Sequence, residues 1–300
     1  MQSSILKQIN YPVPKLLLGT RNWGELVDLP EARSQVRTYL ETGGFALELT
    51  DNPKALAIAG ELLPELTTRD SFQVYFNLPS FRNSAQAQST LNNALSQANL
   101  DHFDIVWTNF DIYHLSIDEI VRFMKQNLNS EKLHYFGLHH TAFWQVAILR
   151  ERLRTEKINL AGLKTNWSLL QRELNKEELK ACNYLNCSLV ATKPLAMGLL
   201  TGKYRFNTPS DSLLARGDSA LEKLLTTINA SKVEAVSTAA SGIGVSPTEV
   251  AMAWVLQNPA VSASVINARN TAQLNQIFQS LKLSLPEELL LALDEVGDFD

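Results

Sequence analysis

Short apolar segments alternate with longer amphipathic segments along most of this chain. Eight of the short segments have the length and residue types of buried strands: Pro14–Gly19, Phe45–Leu49, Phe72–Leu78, Phe103–Asn109, Leu133–Leu138, Leu160–Lys164, Ser188–Thr192 and Ala263–Ile266. Helical periodicity fills most of the gaps, and a further helix can follow the last strand. Eight strand–helix units are the number in a TIM barrel, so the pattern predicts an α/β fold of the (β/α)8 type.

Helix start signals agree with this alternation. Ser116 precedes Glu119 by three positions, and Ser246 precedes Glu249 in the same way, which is the spacing of a capping box. The polar segment 203–229 breaks the alternation, and we predict that it forms an excursion on the barrel rim. Because nothing marks a domain boundary, we predict a single barrel domain over the whole chain, residues 1–300.

Composition limits the classes of function. The 300 residues carry a formal net charge of -4 and no basic run, so we expect no nucleic-acid partner. No apolar run approaches the roughly 18 residues of a membrane span, and the first residues lack the apolar stretch of a signal peptide. Cys182 and Cys187 do not indicate a disulfide framework. We therefore expect a cytoplasmic protein with no membrane partner.

Five motifs occur along the chain in a characteristic order. They are Leu18-Gly19-Thr20 with Trp23-Gly24, Phe136-Gly137-Leu138, the WSLLQR of Trp167 to Arg172, the PLAMGLLTGKY of Pro194 to Tyr204, and Ser246 to Leu256 with Ile266 to Leu274. Together they resemble motifs of the aldo-keto reductase family, and PLAMGLLTGKY is the most specific. The resemblance implies a TIM barrel of the aldo-keto reductase type. It also implies, as the family reaction, hydride transfer from a nicotinamide to a carbonyl.

The resemblance also locates the residues of that reaction. The family uses a Tyr as general acid, with a Lys paired to an Asp and an orienting His. At these positions the chain has Glu48 for the Asp, Asn77 for the Lys and Asn109 for the His, while the Tyr falls near Pro53 or Lys54. Asn carries neither a charge nor an acidic proton. The resemblance therefore implies a divergent member that lacks the catalytic Tyr, Lys and His.

The gaps between residues of each type make this prediction independent of alignment register. There is no Tyr between Tyr39 and Tyr75, no Lys between Lys54 and Lys125, and no His between His102 and His114. Without its Lys, a buried Glu48 should titrate upward or find new donors. Two hypotheses stay open for Glu48, Asn77 and Asn109: a rebuilt polar pocket, or a hydrogen-bonded barrel plug without a ligand.

The nicotinamide subsite implied by the resemblance is altered. His139 and His140 stand for a Ser-Asn pair, Lys164 for a Gln, and Thr192, followed by Lys193, for a stacking Tyr. One hypothesis is a cationic mouth that selects an anionic small molecule. The alternative is that the two Lys side chains pair with carboxylates or reach into water.

We predict no metal site. Adjacent His residues in a strand point to opposite faces, which disfavours joint ligation by His139 and His140 with Glu48. His102, His114 and His134 lie near loops and element ends and receive no assigned role.

The adenine and phosphate end of the implied cofactor site is better preserved. Arg269 and Gln273 match contacts to the 2′-phosphate and the adenine of NADP, and Asn270 or Thr271 can cap a helix whose N-terminus favours phosphate. The loop with Leu195, Gly198 and Lys203 resembles the one over the pyrophosphate. Asn267 and Ile277 depart from the usual Gly and Asn. The alternatives are NADP(H) binding and a remnant loop that binds nothing.

Three functions follow as hypotheses. The first is a pseudoenzyme or repurposed protein that binds NADP(H) or another anionic ligand. The second is an active NADPH-dependent oxidoreductase whose proton comes from Tyr113 or from water; Tyr75 would lie too deep and is assigned to packing. The third is a structural protein that binds a protein partner through the barrel surface or segment 203–229.

Overall fold

The computed structural model describes residues 1–110, 115–205 and 214–297. Its strands are β1 Ser3–Leu6, β2 Tyr11–Pro14, β3 Leu16–Gly19, β4 Ala46–Thr50, β5 Gln73–Phe81, β6 Phe103–Phe110, β7 Leu133–His139, β8 Leu160–Asn166, β9 Leu189–Thr192 and β10 Val261–Ile266. Its α-helices are α1 Leu29–Glu41, α2 Pro53–Leu66, α3 Ser84–Gln97, α4 Ile117–Asn129, α5 Phe143–Thr155, α6 Lys176–Tyr184, α7 Ser219–Glu222, α8 Thr227–Ile243, α9 Pro247–Gln257, α10 Thr271–Gln279 and α11 Glu287–Gly297.

Strands β3 to β10 close into a barrel in sequence order, with β10 pairing back onto β3. Every pairing in the barrel is parallel. Helices separate successive strands, as parallel pairing requires of the connections. The predicted (β/α)8 TIM barrel is confirmed. The carboxyl ends of its strands define the face where such barrels have their active sites.

The bottom of the barrel is closed by an antiparallel hairpin of β1 and β2, which the sequence pattern did not predict. The predicted first strand, Pro14–Gly19, joined the last residue of β2 to β3, because Pro14 and Lys15 did not separate the two strands in the sequence pattern. Leu6 and Val13 of the hairpin pack with the barrel interior. The hairpin thus seals the end of the barrel opposite the strand carboxyl ends.

The lumen is filled by side chains rather than open. Tyr75, Ile105 and Trp107 are fully buried in one apolar cluster. Gly137 makes room for Trp107, since a Cβ there would lie 2.2 Å from the indole ring. Tyr75 donates its hydroxyl to Gln73, and burial raises the pKa of Tyr75 well above its usual value. Tyr75 is therefore a packing residue, in agreement with its position below the site.

The predicted helix starts at Ser116 and Ser246 are confirmed as capping boxes. In the predicted rim segment, residues 206–213 lie outside the described ranges, and the rest holds a 3-10 turn, Leu214–Arg216, and helix α7. That segment's role and the single-domain assignment stay predictions. Within the described ranges, no helix is long and apolar enough to cross a membrane.

Candidate functional site

A cleft of about 440 Å³ opens at the carboxyl ends of β9 and β10. The residue after β9, the loop that follows it and the start of α10 supply its walls. It is lined by the basic residues Arg21, Lys193, Lys203 and Arg269, and also by Leu195, Gly198, Asn267, Gln273 and Ile277. Five of the residues predicted to hold the cofactor line this cleft; Asn270 and Thr271 do not.

The loop after β9 has an unusual backbone. Lys193, Ala196 and Met197 adopt left-handed φ values of 49°, 47° and 58°, and Gly198 has a φ of 93°. Such conformations are unfavourable for residues with a Cβ, and they are concentrated at active sites and ligand-binding loops. A Cβ on Gly198 would lie 3.0 Å from the Nζ atom of Lys203, so the missing side chain gives that ammonium group its place.

The start of α10 is held by side chains rather than left open. Asn270 caps the helix by accepting the Gln273 amide at 2.9 Å, and the Gln273 side chain accepts the Arg269 amide at 3.0 Å. The Thr271 amide donates to Glu31 of α1 at 2.6 Å. Glu31 was not among the predicted site residues, because nothing in the sequence relates α1 to α10. Its carboxylate takes an amide that an anionic ligand would otherwise be offered.

The centre of the barrel holds a buried ion pair. The Lys164 ammonium on β8 lies 2.6 Å from Oε2 of Glu48 on β4, and it also donates to the Asn77 side-chain oxygen. The Asn77 amide donates to Oε1 of Glu48 at 2.8 Å. Lys164 is 0% exposed and Glu48 is 4% exposed. Glu48 therefore has a new cationic partner from the opposite side of the lumen, and Lys164 does not extend into a mouth.

Electrostatics follow from this burial. Desolvation lowers the pKa of Lys164, and the Glu48 carboxylate opposes that shift. The Lys164 ammonium also lies 5.2 Å from the centre of the Trp107 ring, which favours its charged form. Of the two readings of Lys164, the structure shows the one in which it pairs with a carboxylate.

His139 and His140 lie together above this ion pair, with ring centres 4.1 Å apart. The expectation that they point to opposite faces is wrong. Strand β7 ends at His139, and His140 has a φ of 46°, so the strand alternation does not extend to it. Burial, and then the nearby charges of Lys164, His140 and Lys193, lower the pKa of His139 to about 2. His139 is thus neutral at physiological pH.

His140 belongs to a polar network that the sequence did not reveal. Its Nδ1 atom lies 2.8 Å from Oε2 of Glu173. Glu173 also accepts the Asn166 side-chain amide at 2.5 Å and the Asn166 backbone amide at 3.1 Å. Thr192 donates to Asn166 at 3.0 Å, and the Asn109 amide donates to the His140 carbonyl at 3.3 Å.

Burial alone would raise the pKa of Glu173. Hydrogen bonds from His140 and Thr165, the charge of His140 and the Asn166 amide outweigh that effect, and they lower the pKa to about 2. The carboxylate therefore stays charged and fixes the His140 ring, whose side chain is 33% exposed. Tyr113, the other proton donor considered, lies outside the described residues.

Comparison with known proteins gives a consistent result. The Aldo/keto reductase family model matches residues 15–298. The chain is 29% identical over 213 residues to "Uncharacterized oxidoreductase YrpG" of Bacillus subtilis, covering 69% of this chain and 62% of that protein. It is 27% identical over 215 residues to L-glyceraldehyde 3-phosphate reductase of Escherichia coli K12, covering 69% and 62%.

A third relative is matched over more of its length. "Probable voltage-gated potassium channel subunit beta" of Oryza sativa subsp. japonica is 28% identical over 280 residues, covering 87% of this chain and 84% of that protein. The matches to the bacterial oxidoreductase and the bacterial reductase span less than two thirds of those proteins.

Proposed function

The chain belongs to the aldo/keto reductase family, and we propose that it binds NADP(H) in the cleft without catalysing Tyr-dependent carbonyl reduction. The observation that carries the proposal is a contrast within one face of the barrel. The cleft is open and lined by four basic side chains. By contrast, Glu48 and Asn77, which stand at the positions of the family's Asp and Lys, are bonded to each other and to Lys164 in a closed cluster. We propose a pseudoenzyme or a repurposed protein that uses the nucleotide as a signal.

The cleft suits a phosphorylated nucleotide. Lys203, on the loop after β9, and Arg269, just before α10, both line it. A dinucleotide phosphate carries several negative charges, and basic side chains in a partly enclosed cleft bind such a ligand most strongly at low salt. Because Gly198 lacks a Cβ, the Lys203 ammonium group fits against this loop, where its positive charge can pair with a pyrophosphate.

The barrel centre argues against the family reaction. Asn77 cannot supply the positive charge of the family Lys, and Asn109 is engaged with the His140 carbonyl. Lys164 restores a cation next to Glu48 but is buried by the lumen residues. No acidic hydroxyl is placed near this cluster in the described residues: Tyr75 lies below it with a raised pKa.

Calorimetry with NADPH, NADP⁺ and NADH tests the proposal. We expect saturable binding of NADPH that weakens about tenfold to a hundredfold in Arg269→Ala, which corresponds to about 1.4 to 3 kcal/mol. Lys180→Ala on α6 is the matched control, because that Lys side chain is 73% exposed and is not among the residues that line the cleft. No binding of any nucleotide at about millimolar concentration would contradict the proposal and favour the hypothesis of a structural protein with a protein partner.

One observation favours a second candidate function, an active NADPH-dependent oxidoreductase. The His140 imidazole is oriented by Glu173 and partly exposed, so it could supply the proton that the family takes from Tyr. A panel of carbonyl compounds with NADPH tests this function in the unmodified protein, in His140→Gln and in Tyr113→Phe. Turnover lost in one of the two variants would establish it and identify the donor; no turnover in any of the proteins would remove it.

A further inference from the structure

A second group of functional side chains lies at the opposite end of the barrel. His102 directly precedes β6, Asp104 is the second residue of β6, and His134 is the second residue of β7. One candidate ligand atom from each of these three residues, a ring nitrogen or a carboxylate oxygen, lies within 4.8 Å of the other two. The two imidazole rings lie side by side, with centres 4.4 Å apart and planes inclined by 31°.

The Asp104 carboxylate is oriented by groups outside the triad. Its Oδ2 atom accepts the Val74 amide at 2.7 Å and pairs with Arg69 at 2.7 Å. Its Oδ1 atom faces the Nδ1 atom of His134 at 3.8 Å and accepts the Tyr11 hydroxyl at 2.8 Å. Because a carboxylate oxygen has two acceptor positions, Oδ1 keeps one for a further partner. Carboxylates that ligate metals are held by hydrogen bonds of this kind.

We propose that His102, Asp104 and His134 form a binding site for a divalent transition-metal ion such as Zn²⁺. Transition-metal ions such as Zn²⁺ bind well to two imidazoles and a carboxylate, whereas Mg²⁺ and Ca²⁺ prefer oxygen ligands. Tetrahedral Zn²⁺ places its ligand atoms roughly 3.3 Å apart, so the three groups need to approach by a small amount. The side chain of His134 is 47% exposed and free to make that adjustment, while water completes the coordination shell.

The neighbouring charges set the expected strength. Arg69 already offsets the charge of Asp104, and the protein supplies three ligands rather than four. Both features weaken the site relative to a closed structural zinc site, and we expect a dissociation constant in the micromolar range. A bound ion would connect β6 to β7 and, through the Tyr11 hydroxyl, to the hairpin strand β2. The expected consequence is a more stable closed end of the barrel, independent of the nucleotide cleft.

Calorimetric titration of the tag-free full chain with ZnCl₂ near neutral pH tests the site. The expected result is one equivalent bound, with affinity reduced at least about tenfold in His134→Ala and in His102→Gln. His140→Gln is the matched control, since it removes an imidazole from the opposite end and should leave binding unchanged. Zn²⁺ should also raise the Tm of the unmodified protein but not that of His134→Ala, and Mg²⁺ should not compete.

Two results would overturn the proposal. One is the absence of saturable binding up to about 1 mM Zn²⁺, which would leave Asp104 as a structural acceptor for Arg69, Tyr11 and Val74. The other is equal affinity in the unmodified protein and the two His variants, which would place the ion elsewhere. His134→Ala removes a side chain that is 47% exposed, so it should fold, and its Tm without metal verifies this.

Discussion

The cleft and the barrel centre lie at the same end of the barrel but differ in the exposure of their charged groups. In the cleft, Lys203 and Arg269 line an open space. In the centre, Lys164 and Glu48 neutralise each other in full burial. A basic side chain can attract a ligand only where it is accessible, so the two regions have different chemical capacities despite similar residue types.

The comparison shows that a buried carboxylate can have a cationic partner from a different strand than the one the family resemblance implies. Glu48 would be costly to bury alone. Lys164, from the opposite side of the lumen, offsets this free-energy cost by a direct ion pair with Oε2 of Glu48. Asn77 donates a hydrogen bond to the other carboxylate oxygen, Oε1. The contacts among Glu48, Asn77 and Lys164 favour the hypothesis of a hydrogen-bonded plug, which stays a prediction. The cleft is the region that retains room for a ligand.

Breaking the buried ion pair should give the largest effect. Lys164→Met leaves Glu48 buried without a cation, and we expect the free energy of unfolding to fall by about 3 to 5 kcal/mol. Urea denaturation measures this change. The double variant Glu48→Gln with Lys164→Met should recover much of the loss. The control Lys180→Met affects an exposed pair and should change stability by less than about 1 kcal/mol. A loss this small in Lys164→Met would contradict the buried plug.

Filling the cleft loop at its glycine should have an intermediate effect. Gly198→Ala forces an L-residue to a φ of 93° and brings a Cβ within 3.0 Å of the Lys203 Nζ atom. We expect a cost of about 1 to 2 kcal/mol together with weaker NADPH binding by calorimetry. Gly242→Ala on α8, where a Cβ meets no atom within 4 Å, should leave binding unaltered. Equal NADPH affinity in both variants would mean that the loop does not form the binding surface.

Glu31 of α1 places a negative charge at the start of α10. Removing this charge tests whether the carboxylate lowers the affinity of the cleft for an anion. Glu31→Gln loses a charge that accepts the Thr271 amide and hydroxyl, and we expect stability to fall by about 0.3 to 1 kcal/mol. The same change should raise the affinity for NADPH a few-fold at low salt. Glu295→Gln on α11 carries the same change in charge and should not do so. Unchanged or weaker NADPH binding in Glu31→Gln would show that this carboxylate does not compete with the ligand.

The smallest expected effect concerns the pH dependence of the mouth. The pKa of Glu173 is lowered from 4.5 to about 2, so its charged form stabilises the folded state above pH 4.5. That contribution is lost as the pH falls through about 2. Urea denaturation of the unmodified protein and of Glu173→Gln should therefore differ at neutral pH by less than about 1 kcal/mol. The difference should shrink toward acidic pH, and a difference that grows there would contradict the assignment.

The fold followed from the sequence because strand and helix periodicity are local properties. The alternation of segments predicted the eight barrel strands, and capping boxes at Ser116 and Ser246 predicted two helix starts. The hairpin that closes the barrel was missed, because Pro14 and Lys15 did not separate β2 from β3 in the pattern.

The site followed less completely, because its central contacts are distant in sequence. Lys164 and Glu48 are 116 positions apart, and Thr271 and Glu31 are 240 positions apart. No periodicity relates such residues, so their pairing depends on barrel closure. The left-handed φ of His140, which directs its backbone out of the strand, was also not visible in the residue types.

The most direct test of the account follows NADPH in a single sample that contains the protein and saturating carbonyl compounds. Fluorescence reports binding of the nucleotide, and absorbance reports its oxidation. We predict a bound, fluorescent NADPH whose absorbance falls no faster than in a sample without protein. Carbonyl-dependent oxidation at a rate proportional to protein concentration, abolished in His140→Gln or Tyr113→Phe, would contradict it and establish the protein as an active reductase.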